Sequence, residues 1–340
     1  MAHIDILKFG VSSPADTTPL KELKAAGYET KDILGVVGKS EGNGCVNDFS
    51  RTLSTHVWEP LIPDSAVTIF SGGTEGVLSP HVSFIVRSPK PTGLVAAVGH
   101  TREFEPHEVG TTVQANEVVS SVTKLLNDSG IDKNLVHLVL IKCPLLTSAK
   151  LEAIKAAGQT AVTKDTYESM AKSRYASAVG IAVALGELPE SQIQDAMQGE
   201  NMYSQKASCS SGAELEDCHI LIVATASSSV GNLRALSSCM QDAIDARSIL
   251  DILGQVEREK GEVVQIFAKA EADPRGTIRG KRHTMNTDSD IHSTRHARAA
   301  VAGLVAGLVG DTQVYISGGA EGQGPVGGGS LCVVYRVQEQ

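Results

Sequence analysis

Aromatic side chains are scarce in this chain: 4% of 340 residues, with a single tryptophan. A core with so few rings has to be built from Ala, Val, Leu and Ile. Basic residues are also short, 30 Lys and Arg against 39 Asp and Glu, for a formal net charge of −9. Nucleic-acid binding needs a basic face to neutralise phosphates, so no nucleic-acid partner is expected. No run approaches the roughly 20 apolar residues of a membrane helix, so no membrane partner is expected either. The opening residues, M-A-H-I-D-I-L-K-F-G, lack the basic and long apolar regions of a secretory leader. Six cysteines, at 45, 143, 209, 218, 239 and 332, form no C-x-x-C pair. They read as reduced thiols in a cytoplasmic protein. The ten histidines show no H-E-x-x-H or comparable zinc spacing. G-Q-G-P-V-G-G-G (322–329) could cradle a phosphate. But G-K-[S/T] is missing, and no G-x-G-x-x-G opens a helix with an acidic residue after it. No organic cofactor is expected.

What the chain does contain is a short glycine-rich stretch written three times. Residues 71–76 read S-G-G-T-E-G and residues 317–322 read S-G-G-A-E-G. A degenerate copy, S-S-G-A-E-L, lies at 210–215. The outer copies each follow a β-like run, A-V-T-I-F and T-Q-V-Y-I. A serine at a strand end, followed by glycines that let backbone approach a ligand, makes a binding turn. Three copies imply three related units and one site built from all of them.

The rest of the chain fits that plan. Residues 1–10 read as an edge strand, 19–27 as a short helix and 32–39 as a buried strand ending in Lys39. Arg51 opens a helix through Trp58. Residues 82–87 form the next strand, and the first unit closes near 90, in S-P-K-P-T-G. The second unit, 91–230, begins with a strand at 93–100 and a helix at 117–127. A strand at 134–142 ends in Lys142. Arg174 leads into a helix at 175–187 that is small and apolar almost all round, hence buried. A strand at 218–226 ends the unit. The third unit, 231–340, reads as a helix over 235–257, a strand ending in Lys269 and a helix at 294–310 carrying Arg295 and Arg298. The strand before Ser317 and a terminal strand at 330–337 complete it. Each unit thus supplies a strand-end lysine (39, 142, 269), a helix arginine (51, 174, 295 or 298) and a strand-end serine (71, 210, 317). The fold class is α/β, in three similar repeats.

Ser and Lys form a nucleophile–base pair when the lysine pKa falls from about 10.4 towards neutrality. Burial and nearby cations lower it, and a carboxylate keeps the lysine charged. Glu41 follows Lys39 and Glu271 follows Lys269, whereas Cys143 and Pro144 follow Lys142. Local sequence therefore favours Lys142 as the neutral base and Ser210 as the nucleophile, with the other two pairs binding and polarising substrate. Three arginines and three serine turns around one point suit a small ring with carbonyls on three sides. The same donors would hold a tetrahedral oxyanion, which points to opening of a cyclic amide. A non-catalytic binder of a small cyclic metabolite would need the donors but not the Ser–Lys pair.

The runs G-K-S-E-G-N-G-C-V-N-D-F-S-R (38–51), S-G-G-T-E-G-V-L-S-P-H (71–81), K-C-P-L-L-T (142–147), D-T-Y-E-S-M (165–170), D-S-D-I-H-S-T-R-H-A-R (288–298) and S-G-G-A-E-G-Q-G-P-V-G-G-G (317–329) resemble the ring-opening amidohydrolases, the family of cyanuric acid hydrolase and barbiturase. The resemblance spans nearly the whole chain. It implies a triangular barrel of three α/β repeats with threefold pseudo-symmetry. It also implies hydrolysis of cyanuric acid to carboxybiuret, which decarboxylates to biuret, or of barbituric acid to ureidomalonate. It places catalysis on Lys142 and Ser210. Substrate contacts carry over to Arg51, Ser71, Gly72, Arg174, Ser210, Ser211, Ser317, Gly318 and to Arg298 or Arg295. The internal alignment with S-R-Y-A-S favours Arg295, and the family pattern favours Arg298. Lys39 and Lys269 complete the substrate-binding set. A structural Mg²⁺ or Ca²⁺ is implied on Glu271, Ala320, Gln323, Gly324, Pro325 and Gly328, a carboxylate and carbonyl set that suits a hard cation. The assembly implied is a homotetramer. Two departures stand out: Ser211 replaces a glycine, and Tyr175 follows Arg174.

Overall fold

The structure, a computed structural model, describes residues 2–199, 202–227 and 230–338. Its first strands are β1 (Ala2–Gly10), β2 (Ile33–Ser40), β3 (Val67–Gly72) and β4 (His81–Arg87), with helices α1 (Pro19–Ala25) and α2 (Phe49–Trp58) between them. Next come β5 (Leu94–His100), α3 (Thr112–Ser129), β6 (Val136–Pro144), α4 (Ser148–Ala156), α5 (Thr166–Leu185), α6 (Ile193–Gly199), β7 (Ala207–Gly212) and β8 (His219–Thr225). The last stretch holds β9 (Leu233–Met240), α7 (Ala246–Arg258), β10 (Gly261–Ala270), a short ribbon of β11 (Thr277–Ile278) and β12 (Lys281–Arg282), α8 (Ser293–Val309), β13 (Tyr315–Gly318) and β14 (Gly329–Val337).

The fold is mixed α/β. One sheet has eight strands in the order β3-β2-β4-β1-β5-β8-β6-β7, and a second has four in the order β13-β10-β14-β9. The same strand order therefore occurs in β1–β4, in β5–β8 and in the four-stranded sheet. In each group the lysine strand and the serine strand are parallel, and the lysine strand is antiparallel to the group's last strand. Among the described residues the hydrogen bonds close no single ring of strands. One cluster of buried side chains nevertheless draws on all three groups: Ile4 and Ile69, Leu140 and Val223, Phe267 and Val334. Aliphatic residues supply nearly all of it, as the shortage of aromatics requires.

Helix ends are written in the sequence. Asp48, Thr111, Thr147, Asp165 and Asp245 each accept a backbone N–H at the start of α2, α3, α4, α5 and α7. Gly130, Gly186 and Gly310 end α3, α5 and α8 in the left-handed conformation. Helix α5 is buried from Ser173 to Ala182, as its all-round apolar face requires. Gly180 lets it approach α3 closely; a β-carbon there would sit 2.6 Å from Cβ of Val118.

Three readings of the sequence need correction. Strand β1 is not an edge: it pairs with β4 along most of its length and with β5 at Ala2 and His3. Residues 235–240 belong to strand β9, and the helix begins only at Ala246, because Asp245 caps it there. Arg174 does not start its helix but lies inside α5, which Asp165 caps well upstream.

Candidate active site

The three lysines face the three serines in one register. Lys39 is the ladder partner of Ser71, Lys142 of Ser210 and Lys269 of Ser317. A parallel strand pair in each group thus puts an amine and a hydroxyl side by side at the strand ends. All six side chains are buried. Serines and arginines converge on a small pocket. It is lined by Arg51, Arg174, Arg298, Ser71, Gly72, Lys142, Ser210, Ser211, Ser317 and Gly318, with Gly44 and Met170. Lys39 and Lys269 stand behind their serines. Arg298 is 2% exposed and lines the cavity. Arg295, one helical turn earlier, does not.

The second glycine of each S-G-G turn is there for a guanidinium. Gly73 and Gly319 have φ of 98° and 78°, and a β-carbon would lie 2.3 Å from Arg298 and 2.5 Å from Arg174. In the middle copy Ser211 replaces the first glycine, and its hydroxyl accepts from Nη1 of Arg174 at 3.2 Å. Tyr175 causes no crowding in the cavity. It packs away among Ala115, Ile193 and Ala196 and donates its hydroxyl to the Ala196 carbonyl at 2.9 Å.

Residue-by-residue reading missed the glutamates. Glu75, Glu214 and Glu321 each stand four residues after the serine of their copy. Arg51 Nε pairs with Glu214 at 3.1 Å. Arg174 makes two 2.7 Å bonds to Glu321. Arg298 reaches Glu75 at 2.5 and 2.7 Å. Every pair joins an arginine of one strand group to the turn of the next, and the third returns to the first. The recurrence of Glu in all three copies was the available signal.

The three corners are unequal. Lys39 Nζ donates to Ser71 Oγ at 3.2 Å, and Lys269 Nζ donates to Ser317 Oγ at 3.0 Å. Ser71 Oγ in turn donates to Ser317 Oγ at 3.2 Å. Ser210 Oγ is buried and is bonded neither to Lys142 nor to another serine among the described residues. Tyr315 lies beside Ser210 and Ser71, and burial holds its phenol protonated far above the usual range. Lys142 Nζ donates to the Phe70 carbonyl at 2.6 Å and the Ser211 carbonyl at 3.2 Å.

Lys142 also lies 3.1 Å from Glu214. This reverses the carboxylate argument made from local sequence. Among the described residues no ion pair joins Lys39 to Glu41 or Lys269 to Glu271, while the lysine with no acid near it in sequence has one in space. Burial drives all three lysines down. Arg298 depresses Lys39 further, and Arg174 takes Lys269 to about 7. Lys142 is brought by burial to about 8, with Glu214 opposing the fall and Arg51 assisting it. Burial works to protonate Glu214, but Lys142 and Arg51 outweigh it and keep its carboxyl below the usual range.

Five of the six expected metal ligands lie on the loop between β13 and β14, and Glu271 meets that loop from the end of β10. Gly327 N donates to Glu271 Oε2 at 2.8 Å. The Ala320 carbonyl accepts from Gln323 N, and the Pro325 carbonyl from Gly328 N. Gly324 has φ of 116°, and a β-carbon on Gly328 would lie 1.9 Å from the Met240 carbonyl. The Gln323 side chain is taken: its Oε1 accepts from Cys209 N, so only its carbonyl is available as a ligand. Glu271 has no cationic partner among the described residues. Burial, with Glu321 adding repulsion, pushes its carboxyl up to about 7. A buried acid without a cationic partner among the described residues, next to a loop rich in backbone carbonyls, fits a hard divalent cation.

A profile of the amidohydrolase ring-opening protein family matches residues 5–336. A cyanuric acid amidohydrolase of a Sarocladium species is 64% identical over 339 residues, covering 99% of each chain. The enzyme of that name from Pseudonocardia dioxanivorans is 54% identical over 342 residues, again with 99% of each covered. A solved cyanuric acid hydrolase from A. caulinodans superimposes with a TM-score of 0.94 at 39% identity, covering all of both chains. Another solved cyanuric acid hydrolase gives 0.92 at 41% identity over 99% of this chain and 100% of the other. With matching sequence, matching fold and the serine, lysine and arginine corners in place, the chain belongs to the ring-opening amidohydrolase family.

Proposed function

We propose that this chain hydrolyses cyanuric acid to carboxybiuret, which then decarboxylates to biuret. Ser210 is the nucleophile and Lys142 the base. One observation carries the assignment: among the described residues Ser210 alone of the three serines has a hydroxyl not already bonded to its lysine or to another serine. A hydroxyl already engaged by a lysine amine and by a second serine is poorly placed to attack.

The ring binds with its three carbonyls towards Arg51, Arg174 and Arg298 and the serine turns. Ser210 Oγ attacks one carbonyl carbon as its proton passes to neutral Lys142. The N–H donors around the cavity hold the oxyanion that forms. The ring C–N bond then breaks, and Lys142 returns the proton to the leaving nitrogen. Water hydrolyses the acyl-enzyme and frees Ser210. Glu214 tempers the effect of burial on Lys142, so that the amine can both accept and return the proton near neutral pH.

The architecture we propose is the triangular barrel of three repeats, 1–90, 91–230 and 231–340. The shared strand order and the common core support it. Mg²⁺ or Ca²⁺ would sit on Glu271 and the carbonyls of Ala320, Gln323, Gly324, Pro325 and Gly328. It would supply the missing positive charge beside Glu271 and brace the turn that carries Ser317 and Glu321. We propose a homotetramer in the cytoplasm, where six unpaired thiols would stay reduced.

Side-by-side turnover of cyanuric and barbituric acid by the purified protein tests the substrate. Cyanuric acid is expected to be opened faster. Faster opening of barbituric acid would make the enzyme a barbiturase, and binding without turnover of either would make it a binding protein.

A further inference from the structure

A second constellation lies one strand away from Lys142. His219 opens β8 and is the ladder partner of both Lys142 on β6 and His100 on β5. Asp217, two residues earlier, gives one carboxylate oxygen to each of the two imidazoles, whose ring centroids are 4.4 Å apart. His100 Nδ1 is 2.9 Å from Asp217 Oδ2, and His219 Nε2 is 3.5 Å from Asp217 Oδ1. One potential ligand atom from each residue lies within 4.8 Å of the others. A four-coordinate zinc with bonds of about 2.0 Å needs ligand atoms about 3.3 Å apart, a small side-chain adjustment from here.

The hydrogen bonds of the rings point the same way. His219 Nδ1 is 2.9 Å from the Thr68 carbonyl. The Thr68 backbone N–H and hydroxyl lie 3.3 Å from the same nitrogen, so Thr68 engages Nδ1 and Nε2 is left facing the Asp217 carboxylate. His100 repeats the pattern: the Ala66 backbone hydrogen-bonds its ring, and its Nδ1 faces the other carboxylate oxygen. Two imidazoles that spend one nitrogen on a backbone carbonyl and turn the other to a shared carboxylate have the outer-shell arrangement of metal ligands. Either a ring proton or a metal ion can fill the space between each of these nitrogens and the carboxylate.

We infer that His100, Asp217 and His219 form a transition-metal site, with Zn²⁺ the fitting ion and a fourth position left to water. It is separate from the oxygen-only loop around Glu271, because two imidazoles and one carboxylate suit zinc and not Mg²⁺ or Ca²⁺. Ala66 and Thr68 belong to the stretch that leads along β3 to Ser71. Bound metal would therefore fix that stretch against β8, across from Lys142.

The test uses the full chain, dialysed free of metal and titrated with Co²⁺ and then Zn²⁺ in excess Mg²⁺. One Co²⁺ per chain is expected, with the visible absorption of a four-coordinate ion, displaced by Zn²⁺. His100→Ala and Asp217→Asn should each weaken binding by more than about 100-fold, beyond the loss seen on changing an outer-shell group. His100 is partly exposed, so His100→Ala decides the matter if Asp217→Asn fails to fold. Absence of binding, or equal affinity in folded His100→Ala, would show that protons alone hold the cluster together and would overturn the inference.

Discussion

Glu214 lies 3.1 Å from Lys142 through one carboxylate oxygen and 3.1 Å from Arg51 through the other. Arg51 is 163 residues away in the chain. A single buried acid therefore couples the proposed base to an arginine of another strand group. Glu75 and Glu321 pair with arginines but with no lysine among the described residues. The three corners share a pattern, and only this one ties the arginine, the acid and the amine together.

That coupling sets a pH dependence. If neutral Lys142 takes the Ser210 proton, kcat/KM rises with pH and levels off above about 8, where Lys142 titrates. Glu214 opposes the fall in that pKa, and Arg51 promotes it. Glu214→Gln removes the opposing charge and leaves Arg51, so the rise should move to lower pH. A pH–rate profile of the variant measures this directly. An unmoved limb would mean that the ionisation belongs to another group.

The serines should respond unequally to truncation. Ser210→Ala removes the attacking atom, and kcat should fall by about 10⁴-fold or more, while cyanuric acid still binds. Ser71→Ala and Ser317→Ala each remove hydrogen bonds to a lysine and to the other serine. Those losses are on the order of 1–3 kcal/mol, about 5- to 160-fold in kcat/KM. Isothermal titration beside steady-state kinetics separates the two effects. A Ser71→Ala loss as large as that of Ser210→Ala would move the nucleophile to another corner.

The arginine–glutamate pairs close a circuit between the strand groups, so breaking one should cost stability as well as rate. Arg51→Met leaves Glu214 buried at 3% side-chain exposure, with Lys142 as its remaining partner. A buried charge left with no partner costs about 3–5 kcal/mol, so with Lys142 still paired the loss should fall below that range. The double variant Arg51→Met with Glu214→Gln should recover part of that loss, which a double-mutant cycle of denaturant unfolding measures. Additive single losses would show that the pair is not coupled.

How much of this could be read in the sequence depends on range. Lys39, Lys142 and Lys269 and their serines were legible because each falls at a strand end, and a recurring motif exposes the register. Glu75, Glu214 and Glu321 stood inside the same motif, but their arginine partners lie 223, 163 and 147 residues away. Turn chemistry alone gave no reason to pair them. The carboxylate beside Lys142 is hidden in the sequence for the same cause: in a parallel strand pair the neighbour of Lys142 comes from the turn after β7, not from residue 144. Strand β9 was hidden because L-R-A-L-S-S-C-M is as compatible with a helix as with a strand until its pairing with β14 is known. His100 and His219 escaped a motif search because their closeness arises across a ladder.

Adding Mg²⁺ or Ca²⁺ should stabilise the protein through Glu271. Without a cation, burial and Glu321 hold the Glu271 carboxyl up to about 7, a sign of missing positive charge. An ion bound only by the folded chain at 100 times its Kd contributes about 2.7 kcal/mol. For a chain of this size that is a Tm rise of a few degrees. Protein dialysed against chelator should therefore melt lower, recover with Mg²⁺ or Ca²⁺, and lose the response in Glu271→Gln. The Ser317 turn and the metal loop are continuous in sequence, so the metal-free protein should also show a higher KM for cyanuric acid at little cost in kcat. Equal melting shifts in the wild type and in Glu271→Gln would place the cation elsewhere.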